Sequence, residues 1–182
     1  AFDRLVSQTR LLVQVPGRAQ RDNIRRLGLD QTGQHCLDLG RVPTGHVSIR
    51  PSRFSHRMIK ESGCFTVNIP VQLILRQVDL CGVISGRDGD KFARAGLTPV
   101  ASTVVEAPIV AECPINLECK VLHIVPLGVH DMFIGEIVAR HADISLVHNG
   151  RIAFRRLPLI AYVNREYWSL GERIGTYGFS NE

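Results

Sequence analysis

The sequence lacks the features that would assign it at once to a disulfide-rich, zinc-binding or membrane class. Its cysteines are odd in number and form no CxxC pair, which argues against a disulfide framework and a structural zinc site; they are Cys36, Cys64, Cys81, Cys113 and Cys119. No apolar run approaches the roughly 20 residues that a membrane-spanning helix needs. The N-terminal stretch AFDRLVSQTRLLVQVP also lacks a signal-peptide core. We therefore expect a cytoplasmic protein without a membrane span and with buried, free thiols.

Fingerprints for nucleotides, metals and nucleic acids are also missing. The chain has no GxGxxG and no P-loop, and its seven histidines show no HExxH spacing. The net charge of +5 lies entirely in residues 1–53, where nine arginines face four aspartates, whereas residues 54–182 carry thirteen charges of each sign. A nucleic-acid-binding domain needs a basic face on its folded body. A binding module that acts through the basic first 53 residues is therefore the least favoured function, and we expect no nucleic-acid partner.

The most informative segment is VSIRPSRFSHRMIKESGCFTVNIP, residues 47–70. Its pattern predicts a short strand, a turn, a helix from Ser52 to Glu61 that Gly63 ends, and a second strand. Arg50, Ser52, Arg53 and Ser55 lie within six positions where the first strand meets the helix. Guanidinium groups, hydroxyls and unpaired helix N–H groups at such a place suit an anion, most plausibly a phosphate. The alternative is an ordinary helix start with a serine N-cap.

A second segment, residues 81–99, has a similar composition. Asp88 or Asp90 is expected to cap a short helix that Gly96 closes. Ser85, Arg87 and Lys91 therefore lie around a helix N-terminus, which makes this loop another candidate for anion binding. The alternative is a capped surface helix with a solvated lysine.

The rest of the chain is dominated by strands. The pattern of residues 71–80 predicts a helix. Apolar and polar residues alternate over 115–125 and 130–141, which predicts two long strands joined by a turn at Leu127 and Gly128. Residues 157–163 predict a third strand, and the tail after it an irregular arm. Because helices and strands do not alternate, a doubly wound parallel sheet is unfavourable. We predict one mainly β domain over residues 1–182, an antiparallel barrel with a few short helices outside it.

Four long segments of the sequence resemble a known family: 47–70, DLCGVISGRDGDKFARAGLTPV, APIVAECPINLECKVLHIVPLGVHDMFIGEIVARH and PLIAYVNREYWSLGERIGTYGFS. They occur in the same order in the flavoredoxins and their relatives, the flavin-reductase-like, FMN-binding split-barrel family. The resemblance implies an antiparallel split β-barrel, a non-covalent FMN, a redox function and a homodimer with the flavin near the subunit interface.

The resemblance also implies cofactor-binding residues, which are Asn23, Arg50, Ser52, Ser55, Lys91, His130 and Tyr162. The arginine and the two serines match the family's turn on the phosphate side, and the lysine matches one that helps to hold the phosphate. The histidine matches a position near the flavin. The asparagine matches the start of an early strand, and the tyrosine an aromatic residue near the ring. No catalytic residue and no metal ligand is implied.

Residues 25–46 depart from the family. The family continues after Asn23 with an apolar strand and two loops that contact the flavin ring, and this chain shows none of them before Val47. We interpret the segment as a shifted reading frame that leaves both flanks intact. The alternative is a true divergence that removes part of the flavin site.

The function that follows is redox chemistry on FMN. The favoured form is an electron carrier of the flavoredoxin type, which exchanges electrons with redox partner proteins. The alternative is an NAD(P)H-dependent flavin reductase that supplies reduced flavin. The sequence leaves open whether the protein is an enzyme or a carrier.

Overall fold

The computed structural model describes residues 12–14, 44–148, 151–176 and 178–181. Within them strands predominate, and the helices are short. The strands are β1 Leu12–Gln14, β2 Thr44–Ile49, β3 Cys64–Ile69, β4 Pro99–Val100, β5 Ile109–Val110, β6 Ile115–Pro126, β7 Asp131–Ala142, β8 Val147–His148, β9 Arg151–Ile152, β10 Ile160–Val163 and β11 Glu166–Ser169. The α-helices are α1 Phe54–Ser62, α2 Leu75–Val83 and α3 Lys91–Ala95. The mainly β class predicted from the sequence is confirmed.

The central element is a curled antiparallel sheet of five strands in the order β1-β3-β6-β7-β2. Its longest pairing is the β6–β7 hairpin, which turns at Gly128 in the left-handed conformation, φ 78°. Strand β2 pairs with the first half of β7, so that Ile49 lies opposite Asp131. This register brings the end of β2 and the start of β7 to the same edge of the sheet.

The inner face of the sheet forms the main core, which α1 covers. Phe65 and Phe133 are fully buried there together with Ile59 of α1. Gly135 allows the Phe65 ring to approach closely, because a Cβ at that position would lie 2.9 Å from two ring atoms. A smaller core lies between α2, α3 and β10, with Val78, Val110 and Ile160 among its buried residues.

Strand β3 is buried on both faces because the segment around β4 and β5 covers its outer side. The Thr66 hydroxyl donates to the carbonyl of Pro108 at 2.7 Å, and the Val110 amide donates to Asn68 Oδ1 at 3.0 Å. Buried polar side chains of this kind are stable only when they are paired. They replace the alternation of buried and exposed residues that a one-sided sheet would show.

The structure differs from the predicted elements in four places. Helix α1 begins at Phe54, two residues after the predicted start at Ser52. The segment 71–80 begins as a 3-10 turn over Gln72–Ile74, and the α-helix extends to Val83. Of the predicted strand 157–163, only Ile160–Val163 forms β10. The preceding Pro158 lacks an N–H to donate, and its carbonyl accepts instead from the Gln72 amide at 2.9 Å. Residues 44–46, at the end of the segment that departs from the family, form the first half of β2.

Candidate functional site

The turn after β2 places Arg50 beside His130. The Arg53 amide donates to the Arg50 carbonyl at 2.9 Å, which closes the turn. The Arg50 Nε–H donates to His130 Nε2 at 3.4 Å, and both residues are half-buried. Two residues that are 80 positions apart in the sequence are thus neighbours, since β2 ends opposite the start of β7.

The N-terminus of α1 opens at this turn without a side-chain cap. Its N-cap is Arg53, whose side chain makes no capping hydrogen bond, and its first turn holds no acidic residue. The serine cap considered as the alternative is therefore not formed, although Ser52 and Ser55 flank the N-cap. The first amides of a helix carry a partial positive charge and need acceptors. An anion is the acceptor that this end of the helix suits best.

The loop before α3 packs against the same turn. The Arg87 guanidinium donates to the Ser52 carbonyl at 3.2 Å. Gly86 contacts the Phe54 side chain so closely that a Cβ there would lie 3.0 Å from the ring. The Arg57 guanidinium lies 5.5 Å from the centroid of the same ring. The two segments that the sequence singled out separately therefore meet at the start of α1.

Lys91 belongs to the same cluster of positive charge. Its Nζ donates to the carbonyl of Cys81 at 2.8 Å, which uses one of three N–H groups. Burial lowers the pKa of Lys91, the neighbouring Cys81 thiol opposes this, and the positive charge of Arg53 lowers the pKa further. A bound anion would offset both the cost of burying this charge and its repulsion by Arg53.

The short helix α3 contributes side chains rather than its own N-terminus. Asp90 caps it, as predicted, by accepting from the amides of Phe92 at 2.8 Å and Ala93 at 3.4 Å. Its amides are therefore matched by a carboxylate of the same loop. What this loop can offer to an anion is Arg87 and Lys91.

The cluster has a surplus of positive charge that its own side chains do not neutralise. Among the described residues, the ion pairs join His56 to Asp131, Arg57 to Glu61 and His141 to Glu118, and none involves Arg53, Arg87 or Lys91. Arg53 is the N-cap of α1, Arg87 donates to the Ser52 carbonyl beside it, and Lys91 is close enough to Arg53 for their charges to repel. This arrangement fits a phosphate group, which accepts several hydrogen bonds and carries up to two negative charges.

The structure brings some of the predicted cofactor residues together and not others. Arg50, Ser52, Ser55, Lys91 and His130 lie in or around the cluster just described. Tyr162 lies in the β10–β11 hairpin, where its ring centroid is 5.0 Å from that of Tyr167. Tyr167 in turn donates to Asp79 of α2 at 2.8 Å. These contacts do not join Tyr162 to the cluster, and Asn23 lies outside the described residues. The flavin roles of all seven residues stay predictions.

Sequence reasoning missed the pair formed by His56 and Asp131. His56 lies one turn before Ile59 on the buried face of α1, and its Nε2–H donates to Asp131 Oδ2 at 2.8 Å. The signal was available in β7, where alternation places Asp131 on the same face as the buried Phe133. A carboxylate on a core face needs a partner, and a search for one would have pointed to a polar residue of α1.

A second buried carboxylate, Glu118, lies at the other end of the sheet and anchors the loop after β4. It is fully buried and accepts from the amides of Thr103, Val104 and Val105 at 2.6, 2.7 and 3.0 Å, and from His141 Nε2 at 2.6 Å. Burial alone would raise the pKa of Glu118. The hydrogen bonds from His141, Thr103 and Val104 together outweigh burial and lower the pKa to about 2. This carboxylate has all its partners within the chain, so we assign it to the fold.

Two of the four described thiols are not suited to redox exchange. Cys64, Cys81, Cys113 and Cys119 are free, and all but Cys81 are buried. Burial, more than any neighbouring charge, raises the pKa of Cys113 and of Cys119 to about 12. A thiol reacts as the thiolate, so these two are inert near neutral pH.

The described part of the chain offers neither a metal site nor a membrane-spanning helix. There, His, Cys, Asp and Glu residues form no group of three or more that could hold a metal ion. Within the same residues, every helix is too short or too polar to cross a membrane.

Comparison with known proteins assigns the chain to a class of flavin-related proteins with a split-barrel fold. The family model for the flavin reductase like domain matches residues 42–171. The match covers most of the chain, so the protein belongs to this family. It begins at residue 42 and does not reach Asn23 or most of the atypical segment.

Individual relatives agree with this assignment. Flavoredoxin of Desulfovibrio vulgaris (Miyazaki F) is 31% identical, with a TM-score of 0.78, and the alignment covers 100% of this chain and 97% of that one. Flavoredoxin from Methanosarcina acetivorans has a TM-score of 0.77 at 20% identity, over 94% of this chain and 89% of that one, and shows the shared fold. The predicted antiparallel split barrel is thereby confirmed.

Among curated sequences, an uncharacterized protein of Archaeoglobus fulgidus is 41% identical over 98 residues, which is 53% of this chain and 55% of that protein. A protein of Pyrococcus abyssi is 33% identical over 51% of this chain and 53% of its own length. The chain spans about half the length of the curated relatives it matches.

Proposed function

We propose that this protein binds FMN through the cluster at the start of α1 and carries electrons between partner proteins. The single observation that carries the proposal is that Arg53, Arg87 and Lys91 lie around the uncapped N-terminus of α1. The likeness to flavoredoxin of Desulfovibrio vulgaris supports the cofactor and the role together.

In this proposal the phosphate of FMN accepts hydrogen bonds from the α1 amides and from the surrounding cations. Two or three charge-assisted contacts at about 1.5–3 kcal/mol each would suffice to anchor it. Arg50 and His130 border the same site, with Ser52 and Ser55 close by. Bound FMN would supply the electron chemistry, and the protein would position it, shield it and select its partners.

The visible spectrum of the purified protein, before and after incubation with FMN, tests this proposal. We expect a flavin absorbance that persists after gel filtration, at one flavin per chain. A protein that stays colourless after incubation with excess FMN would contradict the assignment. If the flavin binds, redox partner proteins can be identified by the electrons that they deliver to the bound flavin or take from it.

The NAD(P)H-dependent reductase is the second candidate, and the surplus of positive charge favours it. Arg53 and Arg87 are exposed, so they are open to the phosphates of a dinucleotide as well as to FMN. Anaerobic mixing of the FMN-loaded protein with NADH or NADPH separates the two functions. Rapid, stoichiometric bleaching of the flavin absorbance supports the reductase, whereas a carrier is reduced slowly by both nucleotides.

We propose further that the protein forms a homodimer through the outer half of the β6–β7 hairpin. Five apolar side chains of this hairpin are exposed: Leu122, Ile124, Val125, Leu127 and Val129. Exposed apolar patches of this kind mark interaction surfaces. His130 lies in the turn of this hairpin, where its carbonyl accepts from the Leu127 amide at 2.8 Å. A second copy on the hairpin would therefore border the candidate flavin site. Sedimentation should give twice the monomer mass, and a monomer at micromolar concentration would contradict the dimer.

A further inference from the structure

A buried histidine and a carboxylate are joined directly beneath the candidate phosphate site. His56 is 7% exposed, and its Nε2–H donates to Asp131 Oδ2 at 2.8 Å. The edge of the imidazole packs against Phe133, with ring centroids 5.1 Å apart. A buried imidazole without a partner is costly, and in this structure Asp131 is the partner.

This pair completes a ring of contacts around the turn. Asp131 lies opposite Ile49 in the β2–β7 register and follows His130 in the chain. Arg50 follows Ile49 and donates to His130. His56 belongs to the first turn of α1, and its amide donates to the Arg53 carbonyl at 3.2 Å. The turn is therefore held to the start of β7 at both of its ends.

We propose that His56 and Asp131 are positioning residues for the phosphate site. This role depends on the FMN function proposed above. They hold the first turn of α1 at a fixed place on the sheet, so that its amides and Arg53 face Arg87 and Lys91 at the loop before α3. An anion site whose donors are fixed before binding gains affinity, because less ordering remains to be done on binding. Neither residue needs to touch the ligand.

The chain contains a matched control for this pair. His141 and Glu118 also form a buried histidine–carboxylate contact, with 2.6 Å between Nε2 and Oε1. That pair anchors the loop after β4, at the end of β7 away from the cluster. Its loss should lower the stability of the fold without changing the phosphate site.

The test compares the dissociation constants of FMN and riboflavin, measured by quenching of flavin fluorescence. Riboflavin lacks the phosphate, so the ratio of its dissociation constant to that of FMN reports the phosphate contacts alone. We expect His56→Leu to weaken FMN binding about tenfold and to leave riboflavin binding unchanged. His56→Gln, whose amide can still donate to Asp131, should recover most of the loss. His141→Leu should lower Tm and leave the ratio unchanged.

The outcomes separate the two proposals. A folded His56→Leu variant whose FMN affinity stays within about twofold of wild type would overturn the positioning role and leave the phosphate site intact. Equal affinities of the unaltered protein for FMN and riboflavin would instead overturn the phosphate site itself. If His56→Leu does not fold, Asp131→Ala at the half-buried start of β7 takes its place: a loss confined to FMN supports the proposal, and an unchanged ratio overturns it.

Discussion

Replacing Lys91 by methionine should weaken FMN binding strongly while leaving the fold almost unchanged. The side chain loses its charged ammonium group and keeps an unbranched apolar stem only one atom shorter. In the absence of a ligand, the Lys91 ammonium is half-buried, repelled by Arg53 and hydrogen-bonded to the Cys81 carbonyl. The last contact is worth about 1.5–3 kcal/mol because its donor is charged, and the cost of burying that charge offsets most of it. We therefore expect the free energy of unfolding without flavin to change by less than about 1 kcal/mol.

The effect on binding is larger because the charge is unbalanced only when the anion is absent. A charge-assisted hydrogen bond contributes about 1.5–3 kcal/mol. Arg53 and Arg87 remain in the variant and take up part of the loss. We place the net change near the lower end of that range, which corresponds to about a 10- to 30-fold rise in Kd.

Fluorescence quenching of FMN by the apoprotein measures this change, with riboflavin as the ligand without phosphate. Lys120→Met, an exposed lysine in the middle of β6, is the matched control and should bind FMN as the unaltered protein does. Equal losses for FMN and riboflavin in Lys91→Met would show that the lysine does not act through the phosphate. Unchanged FMN binding would refute the reasoning altogether.

The remaining predictions concern the fold. The pKa of Glu118 is about 2 in the native protein, against about 4.3 in an unfolded chain. The resulting stabilisation, about 3 kcal/mol, is fully present above the unfolded value and is lost as pH falls toward the native one. About half of it is lost at pH 3, which is still above the native pKa. Urea titrations at pH 7 and pH 3 should show this difference, and a Glu118→Gln variant with the same acid sensitivity would contradict it. Gly135→Ala should cost about 1–3 kcal/mol, because its Cβ would meet the Phe65 ring, whereas Gly45→Ala has ordinary space; equal Tm values for the two variants would count against the packing argument. Peptides that match the written sequence across residues 25–46 in a mass spectrum would end the reading-frame interpretation.

Local sequence could predict the elements whose ends and turns are set by residues within the element itself. Gly63 is the C-cap of α1 and ends the helix because it adopts φ 67°. Asp90 is the N-cap of α3 and starts that helix because its carboxylate accepts from the first amides. The β6–β7 hairpin follows from two alternating segments and a glycine turn. Each of these signals lies within a few residues of the feature that it specifies.

What the sequence could not supply is the meeting of distant segments. Nothing local states that Arg87 reaches the Ser52 carbonyl or that His56 faces Asp131, 75 positions away. Those contacts depend on the register of β2 against β7 and on the packing of the loop before α3. The family resemblance implied that Arg50 and Lys91 serve one phosphate, and the local patterns added Arg53 and Arg87 as candidates for anion binding. Neither indicated the histidine–aspartate pair beneath them.

Phosphorus NMR of FMN added to the unaltered protein tests the central claim most directly, because its only signal is the group that the cluster is proposed to hold. At one equivalent of FMN we expect a single bound resonance, displaced from that of free FMN and shifted again in Lys91→Met. A phosphate resonance that stays at the position and width of free FMN would show that the start of α1 holds no flavin phosphate.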